Sequence, residues 1–221
     1  MSNPVPYLPP VMSDVVIDIS HYDTVEADFV TTATTPDANG NTIVAVIMKA
    51  TQGLWTDPTF LPRAAEAKAA GLLVGAYLFL DGSVPASELA AYFLTVAVSE
   101  AGVNWLAIDW EPYPPSQASL TQASTVAASI QAATGRWPAL YTIRSMLSVP
   151  SQTLSNCPLW LAEYGTRPIC PPGFSAWQLW QHTDGQVGSA VVPVPGVGPC
   201  DRSKFAGTVD QLKVWWSSPT P

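Results

Sequence analysis

An α/β fold with a parallel sheet is predicted by three features of this 221-residue sequence. Short apolar runs alternate with helical stretches, seven such runs are spaced along the chain, and the helical stretches carry start and stop residues. This inventory fits a compact β/α barrel in one large domain, and a doubly wound open sheet would need a similar one.

The first strand is expected over residues 15–19 and the second over 43–49, with a threonine-rich stretch, 26–41, between them. That stretch ends in the turn signal Asp37-Ala38-Asn39-Gly40 and reads as a long loop, or a poor helix followed by one. Asp57-Pro58 is expected to cap and open the next helix, which Gly71 ends. Strands follow over 72–79 and 105–110, with a helix over 85–102 between them. Ser119 and Gln122 make a capping box that opens a third helix, closed by Gly135. The last strands are placed at 139–143, 159–164 and 176–181, and Thr208 with Gln211 repeats the box before a final helix. Prolines crowd both ends. Residues 1–12 are therefore expected to be an extended arm, 13–216 the folded domain, and 217–221 the start of a linker.

Composition narrows the function. Hydrophobic residues make up 48% of the chain and charged residues 12%, the balance of a packed domain. The net charge of −8 argues against a nucleic-acid partner, which needs a basic footprint, and against adsorption to an anionic membrane. No apolar run is long enough to span a bilayer, and the opening MSNPVPYLPP reads as neither signal nor anchor. Cys157, Cys170 and Cys200 match no zinc spacing and are expected to be structural. Only His21 and His182 could supply imidazole, so neither a metal nor another cofactor is expected. No nucleophile elbow, phosphate loop or dinucleotide fingerprint is present.

Carboxylates remain. In Trp105-Leu106-Ala107-Ile108-Asp109-Trp110-Glu111-Pro112 an apolar strand runs into two acids and is stopped by proline. Residues i and i+2 of a strand share a face, about 6.6 Å apart, so Asp109 and Glu111 should project together. Like charges held close raise at least one pKa, which keeps a general acid protonated for attack on a glycosidic bond. A solvated, idle pair would look the same in isolation. A second apolar strand, however, also carries an acid: Val15-Val16-Ile17-Asp18-Ile19. An aspartate there is costly to bury unless it serves a site or bonds a local turn. Tyr22, Trp55, Tyr77, Trp110, Tyr113, Tyr141, Tyr164, Trp177 and Trp180 surround these acids in sequence, and flat aromatic faces suit sugar rings. Trp105, Trp160 and Trp215 are expected to pack the core instead.

Several segments, in order, resemble the family 25 glycoside hydrolases, lysozymes that act as N-acetylmuramidases. They are Asp18-Ile19-Ser20-His21-Tyr22, Lys49-Ala50-Thr51-Gln52-Gly53, Gly75 with Tyr77 and Phe79, and Asp109-Trp110-Glu111. Leu140-Tyr141-Thr142, Leu159 to Tyr164, Leu179-Trp180-Gln181 and Cys200-Asp201-Arg202-Ser203-Lys204-Phe205 follow. The resemblance implies a flattened TIM-like β/α barrel, (β/α)5(β)3, with residues 13–216 as its catalytic domain. It implies cleavage of the β-1,4 bond between N-acetylmuramic acid and N-acetylglucosamine in bacterial peptidoglycan, by a monomer. Glu111 would be the acid/base, with Asp109, Asp18 and Asp201 as the other carboxylates. Tyr22, Lys49, Tyr77, Trp110, Tyr141, Trp180 and Gln181 would bind substrate.

Four positions depart from the family pattern: Gln52 for glutamate, Leu78 for histidine, His182 for tyrosine and Ser203 for asparagine. Leu78 is expected to remove a polar contact from the cleft floor. These departures keep open an alternative, a catalytically inactive wall-binding domain of the same fold. A chitinase-like D-x-x-D-x-D-x-E is absent, since residues 104–108 carry no acid. Without a signal and with a proline-rich tail, the chain fits the catalytic part of a phage endolysin, released from the host cytoplasm to act at the cell wall.

Overall fold

A computed structural model describes residues 12–23, 26–165, 167–188 and 191–218. Of the expected arm only Met12 falls within the described residues, and of the expected linker only Ser217 and Ser218.

The strands are β1 (Ser13–Ile19), β2 (Ala45–Gln52), β3 (Trp55–Thr56), β4 (Leu73–Phe79), β5 (Trp105–Trp110), β6 (Ala139–Ile143), β7 (Leu159–Ala162), β8 (Leu179–Thr183) and β9 (Asp201–Phe205). The helices are α1 (Phe29–Thr34), α2 (Phe60–Ala69), α3 (Ala86–Leu94), α4 (Leu120–Thr134) and α5 (Val209–Ser217). Eight strands follow one another around a closed barrel, because β1 pairs with both β2 and β9; β3 only extends β2. Pairing is parallel from β1 round to β8, and β9 runs antiparallel to both its neighbours. Closure removes the open sheet from consideration.

Two-residue alternation then sorts every side chain. On β5, Trp105 and Ala107 belong to a cluster with Val16, Ile47, Ala139, Trp160 and Leu179, which fills the barrel. Leu106, Ile108 and Trp110 face outward, packed with Phe60, Phe93, Val126 and Ile130 of the surrounding helices. Strands buried on both faces read as continuous apolar runs, which is why the sequence shows them so clearly. Helix α5 closes the amino-terminal end. Its Trp216 stacks on Trp105 at 4.4 Å between centroids, and Arg136 donates to the carbonyls of Trp215 and Trp216 at 2.9 and 2.8 Å.

Local expectations fared unevenly. Thr208 and Gln211 form the full capping box at α5. At α4 only half of it exists: Ser119 accepts from the Gln122 amide, whereas the Gln122 side chain donates to Val84 O. Thr59 takes the N-cap position of α2 without a side-chain cap bond, and Asp57, two residues upstream, accepts from the Thr59 amide and hydroxyl. The helix expected over 85–102 begins as α3 and continues as a π-helical stretch, Thr95–Glu100. The strand expected at 176–181 starts later, at Leu179, and the final linker begins after α5, which includes Ser217. Strand β9 had no apolar run to announce it, as its sequence is DRSKF.

Candidate active site

Parallel strands all end on one side of the barrel, and there the interior opens into a cleft of about 400 Å³. Its lining comes from inward-facing residues near the carboxyl ends of the parallel strands and from the first residue of antiparallel β9. These are Asp18 on β1, Lys49 on β2, Tyr77 and Phe79 on β4, Asp109 on β5, Tyr141 on β6, Gln181 on β8 and Asp201 on β9. All of these but Phe79 were expected, and Glu111, just past β5, and Tyr22, just past β1, complete the expected residues that the structure brings together.

Trp110 and Trp180 are not among them. Each alternates with a cleft residue, so each points the other way. Trp110 is buried and donates its indole N–H to Ala118 O at 2.9 Å. Trp180 donates to Glu163 O at 2.7 Å and lies beneath the Lys204 ammonium. The same alternation corrects the reading of Leu78, which is fully buried in the outer layer between Tyr77 and Phe79 and touches no cleft floor. His182 also faces away, with Nε2 3.2 Å from Asp14. Ser203 faces inward and accepts from the Trp160 indole at 2.9 Å, while Gln52 accepts from Lys49 Nζ at 3.0 Å.

The cleft also holds Ser20, Asp23, Phe79, Trp160, Tyr164 and Asp184, which were not named as catalytic or substrate-binding residues from sequence. Trp160 forms its floor, edge-on to Tyr141 at 4.7 Å. Strand alternation signals Trp160; Asp23 and Asp184 sit in loops, where no periodicity points inward.

Hydrogen bonds order one wall. Gln181 Oε1 accepts from the hydroxyls of Tyr141 and Tyr164, both at 2.9 Å, and Gln181 Nε2 donates to Asp18 Oδ2 at 2.8 Å. Asp18 and Asp201 are directly opposed across β1 and β9. Among the described residues, Asp18 Oδ1 and Asp109 Oδ1 are buried without a hydrogen-bond partner, so each carboxyl carries one unsatisfied acceptor.

Six acids and one lysine crowd this space, and their ionisation reflects it. Burial, then the Asp201 charge, pushes Asp18 well above the ordinary carboxylate range. Burial and then Glu111 do the same to Asp109, with Lys49 opposing. Burial raises Glu111, again against Lys49, and raises Asp201 to about 7 with help from Asp23 and Asp184. Lys49 is lowered by burial, which its acidic neighbours partly offset. The site thus holds carboxylic acids able to keep a proton near neutral pH, the requirement for general acid catalysis.

The family model for glycosyl hydrolases family 25 matches residues 17–190, most of this chain. The chain belongs to that family. Among solved structures, the family 25 barrel superposes on the bacterial lysozyme from Streptomyces coelicolor with a TM-score of 0.71 and 26% identity, covering 93% of this chain and 96% of that one. The muramidase from Trichobolus zukalii gives 0.71 and 25%, over 92% and 97%. The family 25 lysozyme from Aspergillus fumigatus, 24% identical with a TM-score of 0.73, shares the fold over 94% of this chain and all of its own. The uncharacterized protein YegX of Escherichia coli (strain K12) is 31% identical over 183 residues; the match covers 80% of this chain and 64% of YegX.

Proposed function

We propose that this family 25 chain is a lysozyme that hydrolyses the β-1,4 bond between N-acetylmuramic acid and N-acetylglucosamine of bacterial peptidoglycan. The observation that carries this reading is the pair Asp109 and Glu111, two residues apart at the end of β5. Both open into one cleft, and both are pushed toward the protonated form. The muramidase and lysozyme named above share the fold, and the first of these activities transfers to this chain as part of the proposal.

In this reading Glu111 gives its proton to the leaving glycosidic oxygen. The substrate's own acetamido oxygen attacks the anomeric carbon, and the Asp109 carboxyl, which lines the cleft, accepts the acetamido N–H. The Glu111 carboxylate then takes a proton from water, which opens the ring intermediate with net retention. Direct attack by Asp109 is less well supported, because Asp109 stands beside Glu111 on one strand and not across the bond. We read the protein as a monomer. We read the barrel as the flattened TIM-like (β/α)5(β)3 form, with 3-10 turns in place of a helix after β6. Action at the wall after release from a host cytoplasm, as part of an endolysin, belongs to the same proposal.

The departures from the family pattern do not favour an inactive binding domain, since Leu78 and His182 lie outside the cleft. The test is product release from purified peptidoglycan by the wild type and by Glu111→Gln. New muramic acid reducing ends from the wild type, with none from the variant, are expected. Binding without release by both proteins would overturn the catalytic reading. Proton NMR of the first product should show the retained anomer; inversion would point to water attack supported by Asp18 or Asp201.

A further inference from the structure

We infer that Trp55, His21 and Tyr22 form a sugar-stacking shelf that extends the cleft and holds the glycan strand beyond the sugars that react. The inference rests on the muramidase reading and adds a binding subsite to it.

Trp55 sits on the two-residue strand β3, a hairpin turned back on β2 through Gly53, whose φ of +56° suits glycine. Trp55 is 45% exposed and Tyr22 is 74% exposed. Between them lies His21, 4.0 Å from the Tyr22 centroid and 4.9 Å from that of Trp55. The three rings therefore make one surface over the carboxyl ends of β1 and β2. It is continuous with the cleft, because Tyr22 is itself a lining residue and the Lys49 ammonium sits 5.4 Å from its ring.

The middle ring of the shelf is held in place. Asp57, fully buried, accepts from both the backbone N–H and Nδ1 of His21, at 2.9 and 2.8 Å. Its other oxygen accepts from Thr59, and its amide donates to Ala50 O on β2. A buried carboxylate that fixes the imidazole between two exposed rings lowers the ordering cost of binding there. Exposed aromatic rings in a row, continuous with a polar cleft, match the alternating apolar and hydroxylated faces of a sugar chain. A protein partner would call for a broader apolar patch than three rings. The occupant is a further sugar of the same strand.

Binding is measured by calorimetry in the Glu111→Gln background, with peptidoglycan-derived tetrasaccharide and octasaccharide as probes. The longer strand should bind about tenfold more tightly, the size of one good aromatic contact, and Trp55→Ala should erase that gain while Trp55→Phe keeps most of it. An octasaccharide that keeps its advantage after Trp55→Ala, or that has none to begin with, overturns the shelf. Turnover by the unmutated protein is scored separately. Turnover without a Trp55 effect removes only the shelf, and a Trp55 effect without turnover removes only the muramidase reading. If no strand binds, the shelf falls.

Discussion

Gln181 accepts two phenolic hydrogens on Oε1, which leaves its amide one orientation, with Nε2 toward Asp18. The resemblance casts Gln181 as a substrate ligand, but three of its hydrogen-bonding positions are spent on the protein. Its first effect is to fix the Asp18 carboxylate. Gln181→Glu keeps the shape and both phenol bonds, removes the donor, and adds a negative charge beside Asp18. Leaving a buried polar group without its hydrogen bond costs about 1–3 kcal/mol, so kcat/KM should fall by roughly fivefold to a hundredfold. Unchanged kcat/KM would mean that Asp18 orientation does not matter. Lys49 acts on Glu111 through charge alone: its ammonium favours the carboxylate and holds that pKa down. In Lys49→Met, Glu111 should keep its proton to higher pH. The alkaline limb of kcat/KM should then move up by about half a unit to one unit. A limb that stays put, or moves down, would remove Glu111 as the titrating acid.

At the scale of elements, the alternation along each strand explains both what the sequence revealed and what it hid. Asp109 and Glu111 were legible because i and i+2 share a face, and the same rule applied to Trp110 would have sent that ring outward. The resemblance named Trp110 and Trp180 as ligands, and adjacency in sequence masked the fact that neighbours on a strand cannot share a face. Strand β9 stayed hidden because its partners are ionic. Arg202 is fully buried, 2.7 Å from Asp37 and 3.4 Å from Asp14, and both acids come from segments distant in sequence. Those pairings cannot be read from DRSKF. Helix α5 was visible through its capping box, but not its role as the plug of the barrel. Gly75 supplies the space for that plug: a Cβ there would lie 2.6 Å from the Trp105 ring and 3.1 Å from Trp216. Trp216→Ala empties the layer beneath the cleft and should cost about 3–5 kcal/mol in denaturant unfolding. Gly75→Ala overpacks the same layer and should cost about 1–3 kcal/mol. A loss under about 1 kcal/mol for Trp216→Ala would show that α5 packs loosely and does not close the barrel.

For the molecule as a whole, the cleft sets stability against pH, and the sign follows from which way each acid is shifted. Asp57 and Asp37 are buried, which raises them. Hydrogen bonds outweigh that effect and leave both below the ordinary range: from Thr59 and His21 to Asp57, and from Asn41, Arg202 and Asn39 to Asp37. Their contribution is present above the unfolded pKa and is lost as pH falls into the acid range. The cleft acids act oppositely. Asp201, raised from 3.8 to about 7, keeps its proton in the folded state at pH values where the unfolded chain has released it. Each step up through that window therefore favours unfolding, and Asp18, Asp109 and Glu111, raised in the same direction, add to the loss. Thermal stability should peak in the mildly acidic range, around pH 4–5, and decline toward about pH 8. Asp201→Asn removes one ionising group from the cleft and should flatten that decline. Relief of about 1 kcal/mol corresponds to a rise in Tm of roughly 2–4 °C near pH 8, with little change near pH 4. Calorimetry at constant ionic strength measures both curves. A wild-type Tm that rises from about pH 5 to 8 would show that the folded protein holds these carboxylates as stabilised anions, and would take away the protonated acid on which the catalytic proposal depends.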